Sequence, residues 1–108
     1  MGLAKSEEFK VRENKIATYA KALGHPARIA ILQFLIKSKM CFCGDIVDEL
    51  PLSQSTVSQH LSELKKAGLI KGDIDGPSVC YCIDEKAWTK AAKLIEGLFE
   101  SFKASDCC

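Results

Sequence analysis

Six cysteines fall into three close pairs along this chain: Cys41 with Cys43, Cys80 with Cys82, and Cys107 with Cys108. Thiolates are soft ligands that select thiophilic ions, and two cysteines near each other in sequence chelate one ion with little extra ordering cost. The N-terminal stretch MGLAKSEEFK carries charges where a secretory signal has its apolar centre, so a cytoplasmic protein is expected and a disulfide framework is not. Metal binding or thiol redox chemistry then competes with plain packing, because a free cysteine behaves as a small hydrophobe. In a strand, Cys80 and Cys82 project to one face while Val79, Tyr81 and Ile83 project to the other. Such a pair either chelates an ion or fills a sheet face. His25 and His60 look too isolated to form a site by themselves.

A second stretch carries chemistry of another kind. In LSQSTVSQHLSELKKAG, residues 52–68, Ser53 is a good N-cap and Val57, Leu61 and Leu64 form an apolar stripe that ends at Ala67 and Gly68. Gln54, Ser55, Ser58, Gln59 and Ser62 lie largely off that stripe. Short hydroxyls and amides stand where an ordinary exposed helix carries Glu and Lys, and such groups suit base edges and phosphates. The candidate DNA-contacting residues are therefore Gln54, Ser55, Thr56, Ser58, Gln59 and His60. His60 borders the stripe and suits either side. The competing reading is a solvated amphipathic helix with an unusual polar face.

The elements around these residues follow from periodicity and punctuation. Ile46, Val47 and Leu50 support a short helix that Pro51 stops, so residues 44–67 read as a helix-turn-helix. Residues 69–74 and 78–83 are β-like runs on either side of Asp75, Gly76 and Pro77, making 69–83 a two-stranded hairpin wing. A first helix is expected over residues 6–23, with Phe9, Ile16, Ala20 and Leu23 on one side. A second opens at Pro26 and is apolar almost all round through Ile29, Ile31, Leu32, Phe34, Leu35 and Ile36, which makes it central. A last helix, residues 85–103, is capped by Asp84 and stapled by Ile83 and Trp88. Its stripe of Ala91, Ala92, Ile95, Leu98, Phe99 and Phe102 is large for so small a domain. A second copy of the chain is expected to cover the two terminal helices.

With 108 residues, 47% of them hydrophobic, the chain suits one mainly α (α+β) winged-helix domain over residues 1–108. No apolar run approaches the ~20 residues needed to span a bilayer, so no membrane partner is expected. The net charge of +1 conceals an asymmetry: bases outnumber acids by five in residues 1–39, and acids outnumber bases by four in the remainder. A basic N-terminal part helps to hold phosphates, or is simply a solvated helix face. An enzyme is not expected, since no Cys-x-x-Cys, phosphate loop or acid/base constellation is present.

KALGHPARIAILQFL (residues 21–35), LSQSTVSQHLSELKKAGLI (residues 52–70) and the VCYCID that ends the wing together resemble the ArsR/SmtB family of metal-responsive transcriptional repressors. The resemblance implies a homodimer, joined through its first and last helices, that binds double-stranded operator DNA and leaves it when an inducer binds. Thiophilic-metal sensors of that family carry Glu-Leu-Cys-Val-Cys-Asp-Leu where this chain has Cys41 and Cys43. Here Gly44 separates the second cysteine from Asp45, and the third family cysteine falls on Val47. The expected ligands are Cys41 and Cys43 with Cys107 or Cys108 from the tail, and Cys80 and Cys82 as second choice. As(III) or Sb(III) is the favoured inducer, with Cd(II), Pb(II) or Zn(II) as further candidates. The family's His and carboxylate zinc site is missing, because the last helix has no His. A thiol redox or persulfide sensor on the same fold is the alternative.

Overall fold

The computed structural model describes residues 9–39, 41–44, 50–73 and 80–102. Along them run α1 (Val11–Leu23), α2 (Pro26–Lys37), β1 (Cys41–Cys43), α3 (Gln54–Lys66), β2 (Ile70–Asp73), β3 (Cys80–Ile83) and α4 (Glu85–Glu100). The start of the first expected helix, residues 45–49 of the short helix, the wing tip at 74–79, and Cys107 and Cys108 lie outside the described residues.

Each helix begins where a side chain takes up a free backbone donor. The Glu13 carboxylate accepts from the Lys10 N–H at 3.1 Å, and His25 Nδ1 accepts from the Ala27 N–H at 3.0 Å, with Pro26 at the first position of α2. Ser53 Oγ accepts from the Thr56 N–H at 3.3 Å and Asp84 Oδ1 from the Ala87 N–H at 3.2 Å. A cap of this kind is worth about 1 kcal/mol. Gly68, at φ 87°, lets the chain leave α3 in a left-handed turn. It then enters β2.

Ile31, Leu32 and Leu35 of α2 meet Val57, Leu61 and Leu64 of α3, and Leu69, Ile70, Tyr81 and Ile83 close the core from the sheet. The α3 stripe therefore faces inward as its spacing implies. Helix α2 is less central than its composition suggests, for Ile29 and Ile36, seven residues apart, form an exposed stripe. Helix α1 buries Tyr19 and Ala22 rather than Phe9 and Ala20, which are exposed. Helix α4 turns Trp88, Ala91, Leu94 and Ile95 to the core and leaves Leu98, Phe99 and Phe102 outside. One copy of the domain thus leaves part of the apolar surface at both ends of the chain uncovered, at Phe9 and Val11 and at Leu98, Phe99 and Phe102.

The sheet has three antiparallel strands in the order β1-β3-β2, not the two of the expected wing. The added strand is β1, Cys41–Cys43, whose alternation sends Phe42 inward against Phe34, ring centroids 4.8 Å apart. Gly72, at φ 119°, is required where β2 crosses β3, because a Cβ there would collide with the Cys80 carbonyl.

Candidate nucleic-acid interface and thiol cluster

Helix α3 is held on one side and open on the other. Val57, Leu61 and Leu64 fix its rotation in the core, and that places Gln54, Ser55, Ser58 and Gln59 in solvent. Thr56 is half-buried, and its Oγ1 accepts from Ser53 Oγ at 2.9 Å. The exposed set bears amide and hydroxyl groups with no charge, suited to reading base edges in a groove.

His60 points the other way. It is buried at 8% exposure, and its Nδ1 accepts a hydrogen bond of 3.1 Å from Arg28 Nε. The Arg28 Nη1 also donates to the Lys21 and Ala22 carbonyls, each at 3.3 Å, at the end of α1. One guanidinium therefore joins the end of α1, the start of α2 and the middle of α3. The His25 ring lies 4.4 Å from the His60 ring, centroid to centroid, so the two histidines isolated in sequence are neighbours in space. Burial, then the charges of His25 and Arg28, push the His60 pKa below its ordinary 6.5. A neutral imidazole is what the Arg28 bond requires, since Nδ1 must accept. Sequence reading missed this clamp because its parts are 32 residues apart; the only local signal was an Arg two residues after Pro26.

The cysteines meet across strands rather than along them. The β1–β3 register sets Cys41 opposite Cys82 and Cys43 opposite Cys80, and each opposed pair is joined as a disulfide with Cα atoms 4.0 and 4.1 Å apart. This overturns the expectation that the cysteines are not joined in disulfides. Its cause is the antiparallel ladder, in which residues directly opposite share a face at close range. Cys41, Cys43 and Cys80 are exposed and Cys82 half-buried, whereas Phe42, Tyr81 and Ile83 on the other face pack toward the core. Lys71, exposed, occupies the register position opposite Cys82 on β2.

With these sulfurs paired, no group of three or more His, Cys, Asp or Glu among the described residues is arranged to hold a metal ion. The donor set itself suits a soft ion once reduced to thiols, because four sulfurs then share one sheet face. The third sulfur that the Cys41 and Cys43 pair lacks is thus present on the neighbouring strand. No helix among the described residues is long and apolar enough to cross a membrane.

Residues 25–71 match the model of the bacterial regulatory protein, arsR family. The chain is 40% identical over 85 residues to an uncharacterized HTH-type transcriptional regulator of Methanocaldococcus jannaschii, covering 78% of this chain and 94% of that one. It is 32% identical over 95 residues to the biofilm growth-associated repressor of Agrobacterium fabrum, covering 88% of this chain and 78% of the repressor. Among solved structures, an ArsR-like transcriptional regulator from Rhodococcus sp. RHA1 superposes with a TM-score of 0.62 at 22% identity, over 82% of this chain and 83% of that one. That likeness establishes the winged-helix fold. These relatives are transcriptional regulators and not enzymes.

Proposed function

We infer, from the premise that this chain belongs to the ArsR family of helix-turn-helix transcriptional regulators, that it is a cytoplasmic homodimeric repressor placing Gln54, Ser55, Ser58 and Gln59 in the major groove of operator DNA. The observation that carries this reading is the exposed, uncharged polar face of a helix whose other face is locked by Val57, Leu61 and Leu64. His60 takes no part in base contact, because it supports α3 from inside. The second copy covers the apolar end formed by Phe9, Val11, Leu98, Phe99 and Phe102, all exposed in the single chain. Arg12 approaches Gly97, so the start of α1 lies beside the end of α4 and these side chains gather at one end. Residues 1–108 then act as one domain whose terminal helices set the spacing of two recognition helices.

Release from DNA follows a thiol-directed inducer acting on the cysteine cluster. A thiophilic ion is the first candidate, As(III) or Sb(III) before Cd(II), Pb(II) or Zn(II), with Cys41 and Cys43 as ligands and the third sulfur from Cys82 or Cys80. Cys107 or Cys108 is the other source of that sulfur. The alternative, thiol oxidation, is favoured by the opposed cysteine pairs of β1 and β3. Both act through a population shift: a ligand that prefers one geometry of the dimer by ~1–3 kcal/mol lowers operator affinity about 5- to 150-fold. The test is operator binding by reduced protein, titrated in turn with arsenite, cadmium, zinc and peroxide. Release by none of them contradicts thiol-directed induction.

A further inference from the structure

We propose that Cys41, Cys43, Cys80 and Cys82 form one four-thiol site on the outer face of β1 and β3, which holds a single thiophilic ion when reduced and is closed to it by two cross-strand disulfides when oxidised. The proposal deepens the thiol-sensing reading above by naming its ligand set and making ion binding and oxidation exclusive events at the same sulfurs.

Three observations carry it. Register puts all four side chains on one face, as two opposed pairs. Cα atoms are 4.0 and 4.1 Å apart across the strands, and successive same-face positions along a strand are about 6.7 Å apart. The centre of that rectangle therefore lies about 4 Å from every Cα, within reach of all four sulfurs, and four thiolates around one point make a tetrahedral soft-ion site. Exposure is the second observation. Unpaired cysteine is among the most buried residue types, yet three of these four are exposed, and Phe42, Tyr81 and Ile83 hold the inner face. Packing does not explain them. The third is position: β3 leads through the single residue Asp84 into α4. A bond bridging β1 and β3 ties β1 to the strand that enters the proposed dimer helix.

Closure is a balanced oxidation. For each opposed pair one S–S bond forms, the two thiols give up two protons and two electrons, and one hydrogen peroxide is cleaved at its O–O bond to two waters. Two peroxides close both pairs. A disulfide sulfur has no thiolate to donate, so the closed site takes no ion. By linkage, a bound ion protects the thiols from the oxidant.

The test is an anaerobic titration of the reduced full-length protein with Cd(II) alone, reading thiolate-to-cadmium charge-transfer absorption, with operator binding followed in the same samples. One Cd(II) per chain is expected, and about half the absorption is lost in the Cys80→Ser, Cys82→Ser protein. After peroxide, the intact chain should be lighter by four hydrogens, a non-reducing digest should link Cys41 to Cys82 and Cys43 to Cys80, and Cd(II) absorption should vanish until reductant restores it. The digest and mass use the unsubstituted protein, so a serine variant that fails to fold leaves the test intact. Absorption unchanged in the Cys80→Ser, Cys82→Ser protein, absorption lost instead in Cys107→Ser, Cys108→Ser, or full Cd(II) uptake by oxidised protein overturns the proposal. Operator release by Cd(II) bound to other thiols overturns the ligand set alone, whereas reduced protein that never binds operator overturns the repressor reading.

Discussion

Replacing Arg28 with Ala should destabilise the fold and disorient α3 together. The guanidinium donates at 3.1 Å to the buried His60 Nδ1 and at 3.3 Å to two carbonyls at the end of α1. Hydrogen bonds from a charged donor contribute about 1.5–3 kcal/mol each. The two longer bonds share one nitrogen and count for less than two, so Arg28→Ala should cost about 2–4 kcal/mol, including the penalty of leaving His60 Nδ1 unpaired in the core. That is a large part of a small domain's ~5–15 kcal/mol. At a urea slope of about 2 kcal/mol per M, the unfolding midpoint should fall by about 1–2 M. Midpoints must be compared at equal chain concentration, since self-association stabilises by mass action. Arg28→Lys keeps the charge and should recover only part of the loss, because one ammonium lacks the planar fork that reaches both His60 and α1. Operator affinity, measured where both proteins are folded, should fall with Arg28→Ala although the residue faces away from the groove. A midpoint equal to the parent's, or unchanged operator affinity, refutes the clamp.

Three further outcomes are expected. Gln54→Ala and Ser58→Ala should each weaken specific operator binding by ~1–3 kcal/mol while non-specific binding and its salt dependence barely change; equal affinity in a folded protein removes the groove assignment. Leu98→Asp or Phe102→Asp should give a one-chain mass by light scattering and abolish tight operator binding, and a dimeric mass for both contradicts the proposed interface. Because the His60 pKa is lowered from 6.5 by burial and then by His25 and Arg28, the unfolded chain takes up that proton first as pH falls. The His60 contribution is therefore full above about pH 6.5 and declines from there toward the lowered folded value. His60→Asn should flatten that part of the urea midpoint against pH, and an unchanged slope would show that His60 does not titrate in this way.

What could be read from the chain alone was local, and what could not was long-range. The inward rotation of α3 follows from Val57, Leu61 and Leu64, and the helix starts at Ser53, Pro26 and Asp84 are visible because capping is decided within three or four residues. Strand β1 escaped notice because Cys-Phe-Cys is too short for periodicity to register, and only its pairing with β3 makes it a strand. The cross-strand disulfides depend on that register and join cysteines 41 and 37 positions apart, so the expectation of no disulfides could not be corrected from the chain alone. Arg28, His25 and His60 show the same limit. The outward residues of α4 were legible as excess apolar surface, while the division between buried and exposed positions required knowing which face α2 and α3 occupy.

The proposal that α3 reads DNA in a dimer whose grip depends on the cysteine thiols is tested most directly by fluorescence anisotropy of a labelled two-fold operator, with half-sites ~34 Å apart, against fully reduced protein before and after a thiophilic ion is added. Tight binding by two chains per operator, weakened at least about fivefold by the ion and not in a Cys41→Ser, Cys43→Ser protein, is the expected result. Binding by one chain, or equal ion response in that double variant, contradicts it.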